Sequence, residues 1–213
     1  MKLSAAIVFG ILLVGATCAS AQDRFEISGT YSYLHFDPTV TGLSARTFNA
    51  GGGGGIAINF LKIFEIKGEV MGYASTSFTK TYTSPETLPN GGMIPAGTYT
   101  AEGNMFTALA GPVLRLPIPK VKPFGEALFG ISRTNGYTNL QNAIIAGGGT
   151  ISRTSTDHPF TMALGGGVDV AVSDRFSIRL AEVDYVLSLY SNPLTSTSQQ
   201  NNFRYCGGLV LKF

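Results

Sequence analysis

The stretch FEISGTYSYLHF at residues 25–36 decides the fold. Phe25, Ile27, Gly29, Tyr31 and Tyr33 alternate with Glu26, Ser28, Thr30 and Ser32. A period of two, with one apolar and one polar face, is the pattern of a strand; a helix would repeat its apolar positions every three or four residues. Working outward, seven more segments of comparable length carry the same signal, at 47–60, 64–74, 103–116, 123–133, 160–172, 176–190 and 203–213. Phe64, Ile66, Gly68, Val70 and Gly72 alternate with Glu65, Lys67 and Glu69, and Phe203, Tyr205, Leu209 and Leu211 alternate with Arg204, Cys206, Val210 and Lys212. In 103–116 both faces are apolar; the favoured register puts Phe106, Ala108, Ala110 and Leu114 outside and Arg115 inside. In 176–190 the pattern slips by one residue between Arg179 and Glu182, which predicts a β-bulge near Ala181.

The intervals between segments alternate long and short. Residues 37–46, 75–102, 134–159 and 191–202 are long and rich in Ser, Thr, Asn, Gly and Pro, whereas 61–63, 117–122 and 173–175 are short. Such sorting places every long loop at one end of the molecule and both termini at the other, as in an outer-membrane barrel with extracellular loops and periplasmic turns.

Composition points the same way. Hydrophobic residues make up 44% of the 213 and charged residues only 13%, about half the charged share of an ordinary soluble domain. Mean hydropathy is positive at +0.20, yet beyond the N-terminus no apolar run approaches the roughly 20 residues of a membrane helix. Without such helices, only a closed barrel satisfies every backbone group in lipid. The expected fold class is therefore an all-β, eight-stranded, antiparallel, up-and-down transmembrane β-barrel.

The first 21 residues read as a cleaved signal peptide: a positive start at Lys2, an apolar run over 5–16, and small residues at Ala19 and Ala21 before Gln22. Lipidation at Cys18 is disfavoured because Gly15 stands where a large aliphatic residue is required. Residues 22–213 form the barrel domain, with 14 basic and 13 acidic residues. That balance gives no reason to expect nucleic acid as a partner. Cys206 remains as a lone thiol, expected on the lumen side beside Arg204.

The last strand, FRYCGGLVLKF at 203–213, resembles the C-terminal signal read by the barrel-assembly machinery, with Tyr205, Leu209, Leu211 and Phe213 in the matching positions. From Arg24 onward the chain resembles the eight-stranded outer-membrane barrel superfamily, near the OmpA transmembrane domain. The resemblance implies outer-membrane localisation, with outer-membrane lipids and the assembly machinery as partners. It stops at Phe213, so the peptidoglycan-binding domain that many OmpA relatives carry is not expected.

The alternation assigns Glu26, Glu65, Lys67, Glu69, Arg115, Glu126, Asp169, Arg179 and Arg204 to the lumen, joined by Glu182 and Asp184 beyond the bulge. Eight strands enclose a space that side chains just fill, and charges there must pair. A structural ion-pair network is the favoured reading, and a gated proton or ion path the sharper one. His35 and His158 are the histidines of the chain, and neither lies in a His-x-Ser pair on a strand, so no catalytic site is assigned. No cofactor is expected, and the residue spacing suits no zinc site. The glycine run 51–55 lacks a following Lys-Ser/Thr and is read as a bend, with neighbouring aromatics over the bare backbone. Tyr31, Tyr33, Phe60, Phe64, Phe129, Phe160, Phe176, Tyr205 and Phe213 are the girdle candidates. The long loops carry few aromatics beyond Phe78, Tyr82, Tyr99 and Tyr137, so no binding hot spot is evident. The functional expectation is a structural or surface-interaction role through the extracellular loops, with no surface ligand identified. The alternatives are a narrow porin-like channel and, more distantly, a lipid A-modifying enzyme.

Overall fold

A computed structural model describes residues 25–36, 47–61, 63–88, 91–151, 158–189 and 199–213. The expected signal peptide at 1–21 and the loop at 37–46 lie outside these residues. Strands β1 (Phe25–His35), β2 (Thr47–Leu61) and β3 (Phe64–Tyr82) are followed by a two-stranded hairpin, β4 (Glu86–Thr87) and β5 (Met93–Ile94). Then come β6 (Gly97–Arg115), β7 (Val121–Thr134), helix α1 (Gly136–Ala146), β8 (Phe160–Ala171), β9 (Phe176–Ser188) and β10 (Gln200–Lys212). Eight of the strands close into an antiparallel barrel in the order β1-β10-β9-β8-β7-β6-β3-β2. Every barrel strand pairs with its neighbours in sequence, and β1 meets β10 from Glu26↔Lys212 to His35↔Phe203. Closure leaves no strand edge in the wall, which is what lipid demands of a sheet.

The alternation seen in the sequence sets the register. Along β1, Glu26, Thr30, Ser32 and Leu34 are buried in the lumen, whereas Ile27, Tyr31 and Tyr33 are exposed on the outside. Phe106, Ala108, Ala110 and Leu114 of β6 face outward and Arg115 inward. The bulge in β9 is at Leu180–Ala181: both residues are exposed, and pairing jumps from Asp169↔Arg179 to Val168↔Ala181. It returns Glu182 and Asp184 to the lumen. Of the girdle candidates, Tyr31, Tyr33, Phe60, Phe129, Phe160, Tyr205 and Phe213 are exposed, while Phe64 and Phe176 are half-buried.

Two long intervals differ from the sequence reading. Residues 75–102 are not simply loop, because β3 and β6 continue as 19-residue strands paired up to Tyr82↔Gly97. A spanning strand needs about 9–11 residues, so this hairpin stands well above the rest of the wall. Residues 134–159 contain α1, 11 residues long. The Ser/Thr-rich composition that signals a turn is equally that of a strand whose outer face is polar. Thr79 and Thr81 pair there with Thr100 and Thr98 through hydroxyl hydrogen bonds of 3.1 and 3.0 Å.

Candidate functional site: the lumen and its cap

Seven of the eight barrel strands send charges into the half of the lumen nearer the termini. The eighth, β2, presents Gly51, Gly53, Gly55 and Ala57 there instead. Gly51 and Gly53 are sterically required. A Cβ at Gly53 would lie 2.0 Å from the Val70 carbonyl oxygen, and one at Gly51 would lie 2.4 Å from the Tyr73 ring. The wall is thinned at β2 so that the large side chains of the other strands fit.

All nine charged residues singled out from the sequence are in the lumen, each no more than 6% exposed. They form one continuous chain of ion pairs. At the end holding the termini, Lys212 lies 3.0 Å from Glu26, and Arg115 reaches Glu26 (3.4 Å), Asp169 (2.6 Å) and Glu65. Asp169 also receives Arg179 at 2.9 Å, and Arg179 continues to Glu182 at 2.6 Å. Deeper in, the Lys67 ammonium lies between three carboxylates, 2.9 Å from Glu69, 3.0 Å from Glu126 and 3.3 Å from Glu182. Arg204 binds Asp184 at 2.7 Å and pairs with Glu69 and Glu182. The Arg115 and Arg179 guanidinium groups lie 5.1 and 4.6 Å from the centroid of the Phe124 ring. Lys67, Arg115, Arg179 and Arg204 each hold two or more carboxylates, so these cations retain little freedom to move. The Glu69, Glu126 and Glu182 carboxylates are close enough to share a metal ion, but the Lys67 ammonium lies within bonding distance of all three.

Above this network the chemistry changes. Hydroxyls of Ser132, Thr161 and Ser188 bond to one another at 2.8 and 3.0 Å, and Cys206 Sγ is 3.3 Å from Ser32 Oγ. Higher still, on the side of β1, β2, β3 and β6, the barrel is filled with hydrocarbon. Gln200 and Asn202 at the start of β10 are buried beside it, with the Tyr137 hydroxyl 3.3 Å from Gln200 Oε1. Phe36 stands against Phe48 and Phe78, with ring centroids 5.4 and 5.5 Å apart, and Tyr137 lies at 6.3 Å. Leu34, Met71, Met105, Leu140 and Ile144 complete this cluster, which continues through Tyr82, Leu88, Ile94 and Tyr99 into the protruding hairpin. Helix α1 lies across it with Tyr137, Leu140, Gln141 and Ile144 buried. The exposed edge of β6 is tied to the helix segment, since Asn139 donates to the Glu102 carbonyl at 2.7 Å and the Asn104 N–H donates to Asn135 at 2.8 Å.

Sequence reasoning did not find this cap. The aromatics at 78, 82, 99 and 137 look like scattered loop residues, but each is at most 8% exposed. Their signal is that Phe78, Lys80 and Tyr82 keep strand parity and that Tyr137, Leu140 and Ile144 keep helix spacing. His35 and His158 are exposed, and neither makes an ion pair with a described residue. Tyr205, Leu209 and Leu211 lie on the outer face of β10, Phe213 directly follows the strand, and all four are exposed.

A neisserial surface protein, NspA, superposes with a TM-score of 0.53 over 89% of this chain and 97% of its own, at 11% identity. The fold is that of the small eight-stranded outer-membrane β-barrels. The N-terminal barrel domain of Pseudomonas aeruginosa OprF matches with a TM-score of 0.47 and 11% identity, over 90% of this chain and all of that domain. Escherichia coli OmpT, an outer-membrane protease, matches with a TM-score of 0.44 and 9% identity, over 93% of this chain and 99% of its own. No protein-family model matches the chain, and no curated protein is similar to it in sequence.

Proposed function

We propose that this chain is an outer-membrane protein with a structural or surface-interaction role, acting through the cap of a sealed barrel. The observation that carries this reading is the hydrocarbon plug beneath α1. A path for water or ions needs polar groups or space along its whole length. Here Phe36, Phe48, Phe78, Leu140 and Ile144, each no more than 1% exposed, pack across the loop side of the lumen. The buried polar groups beside them are bonded within the protein, Gln200 to the Tyr137 hydroxyl and to Asn202. Nothing favours the channel reading over it, and no nucleophile-base pair among the described residues favours an enzyme. In this account, residues 1–21 direct export. Tyr205, Leu209, Leu211 and Phe213 are the row that the assembly machinery reads, and the outward apolar belt holds the barrel among outer-membrane lipids.

The cap is a packed body rather than a set of free loops, so it offers a partner a surface that loses little entropy on binding. Its sidedness is directly testable. Asn142→Cys on the exposed side of α1, in a Cys206→Ser background, should react with a membrane-impermeant maleimide on intact cells. Asp174→Cys, in the turn between β8 and β9, should react only after the envelope is permeabilised. The opposite pattern would refute the reading.

A further inference from the structure

Outward-facing residues pair across the wall in rows. One row runs Ile56–Gly68–Ala110–Phe129 over β2, β3, β6 and β7, so two large side chains flank two small ones. The next row places Gly29 beside Gly54, then Val70 and Ala108. Together they form a groove of about 680 Å³ on the outside of the barrel, the larger of the two principal cavities.

The chain itself does not require Gly68, which lines the groove, nor Gly29 and Gly72 near it, in contrast to Gly51 and Gly53 facing the lumen. Gly54 is tighter, since a Cβ there would lie 3.0 Å from the Ser28 carbonyl oxygen. A Cβ at Gly29 or Gly68 would meet no atom within 4 Å, and one at Gly72 would meet only the Gly52 carbonyl, at 4.0 Å. None of the three has a positive φ. Aromatics expected over the bare backbone do not cover these positions either. Glycine weakens a strand relative to any residue with a side chain. Open space kept at that cost, in a wall otherwise lined by Ile, Val, Leu and Phe, points to an occupant from outside the chain.

We infer that the groove seats a single acyl chain of a membrane lipid. The inference rests on the outer-membrane reading, because the groove opens onto the belt of Ile27, Ile56, Ile66 and Val70, all exposed, that this reading places in hydrocarbon. A second copy of the barrel fits poorly. A two-fold contact would set one hollow against the same hollow and leave a void, forfeiting dispersion contacts on both sides. A hydrocarbon chain is a flexible ridge and fills a concave strip. Among the lining residues the ionisable one is Glu69, whose carboxylate is committed to Lys67 and Arg204 inside the barrel. A charged headgroup or a peptide therefore finds no partner there.

The test is native mass spectrometry of protein refolded into phosphatidylethanolamine/phosphatidylglycerol vesicles and then released into mild detergent. Wild type should carry one bound phospholipid. Gly68→Leu and Ala110→Leu, which fill the groove, should lose it. Gly125→Leu, on the outer face of β7 away from the groove, should retain it. The heat-dependent gel shift of a folded barrel establishes that each variant has refolded. Equal retention by Gly68→Leu and wild type would overturn the inference, as would a bare wild-type monomer. A wild-type dimer that Gly68→Leu converts to monomer would assign the groove to a second copy instead. Failure of wild type to enter vesicles at all would overturn the membrane reading together with this one.

Discussion

Lys67 shows how the lumen is balanced residue by residue. Its ammonium serves Glu69, Glu126 and Glu182 at once, and the ion-pair network sets seven carboxylates against five cations. Removing a cation and removing an acid should therefore have unequal effects. Lys67→Met leaves three buried carboxylates facing one another and should cost about 3–5 kcal/mol of stability. Glu126→Gln keeps the shape, relieves part of the acidic excess, and should change stability far less. Urea titration of the refolded barrel, followed by the gel shift, measures both; equal losses would contradict the assigned roles. Glycines give a second contrast. Gly53→Ala forces a Cβ to within 2.0 Å of a carbonyl oxygen and should block refolding, whereas Gly72→Ala meets open space and should refold as wild type does.

Helix α1 and the protruding β3–β6 hairpin stabilise each other, since the helix buries its apolar stripe on a core to which the hairpin contributes Phe78, Tyr82 and Tyr99. Leu140→Asp places a charge in that core and should undock the helix. Limited chymotrypsin digestion should then cut near Tyr137, a site buried in wild type at 4% exposure. The barrel below, closed by its own ladders, should stay intact. Phe78→Ala should act more mildly, at about 3–5 kcal/mol for the truncated aromatic, visible as faster cleavage without loss of the gel shift. These elements also mark how far the sequence could be read. Strands β1, β7 and β10 were legible because an apolar outer face alternates with an inner face that carries charges, and even the β9 bulge followed from the displaced Glu182. Above the membrane that contrast disappears. The outer face of the hairpin is threonine against water, and α1 (GYTNLQNAIIA) has no side-chain N-cap bond and no acidic first turn to announce it. The lumen residues were legible one at a time, but their pairing was not, because Lys67 and Glu126 are 59 positions apart and meet only once the barrel closes.

Taken as a whole, the molecule is graded along the barrel axis. Ion pairs occupy the lumen at the end with the termini. The end beneath the cap is shared by hydrocarbon on β1, β2, β3 and β6 and by bonded hydroxyls and amides at the ends of β7 to β10. Either end layer alone would impede a hydrated ion, the first by locking its charges to one another and the second by excluding water. The central claim is that the barrel is sealed and that function resides on its outer cap. Planar-bilayer conductance of the refolded protein tests this most directly. The account expects no openings from folded wild type, and none from Leu140→Asp either, because the ion-pair layer remains in place when α1 leaves the mouth. Stable single-channel steps from folded wild type would contradict it and make the chain a small pore.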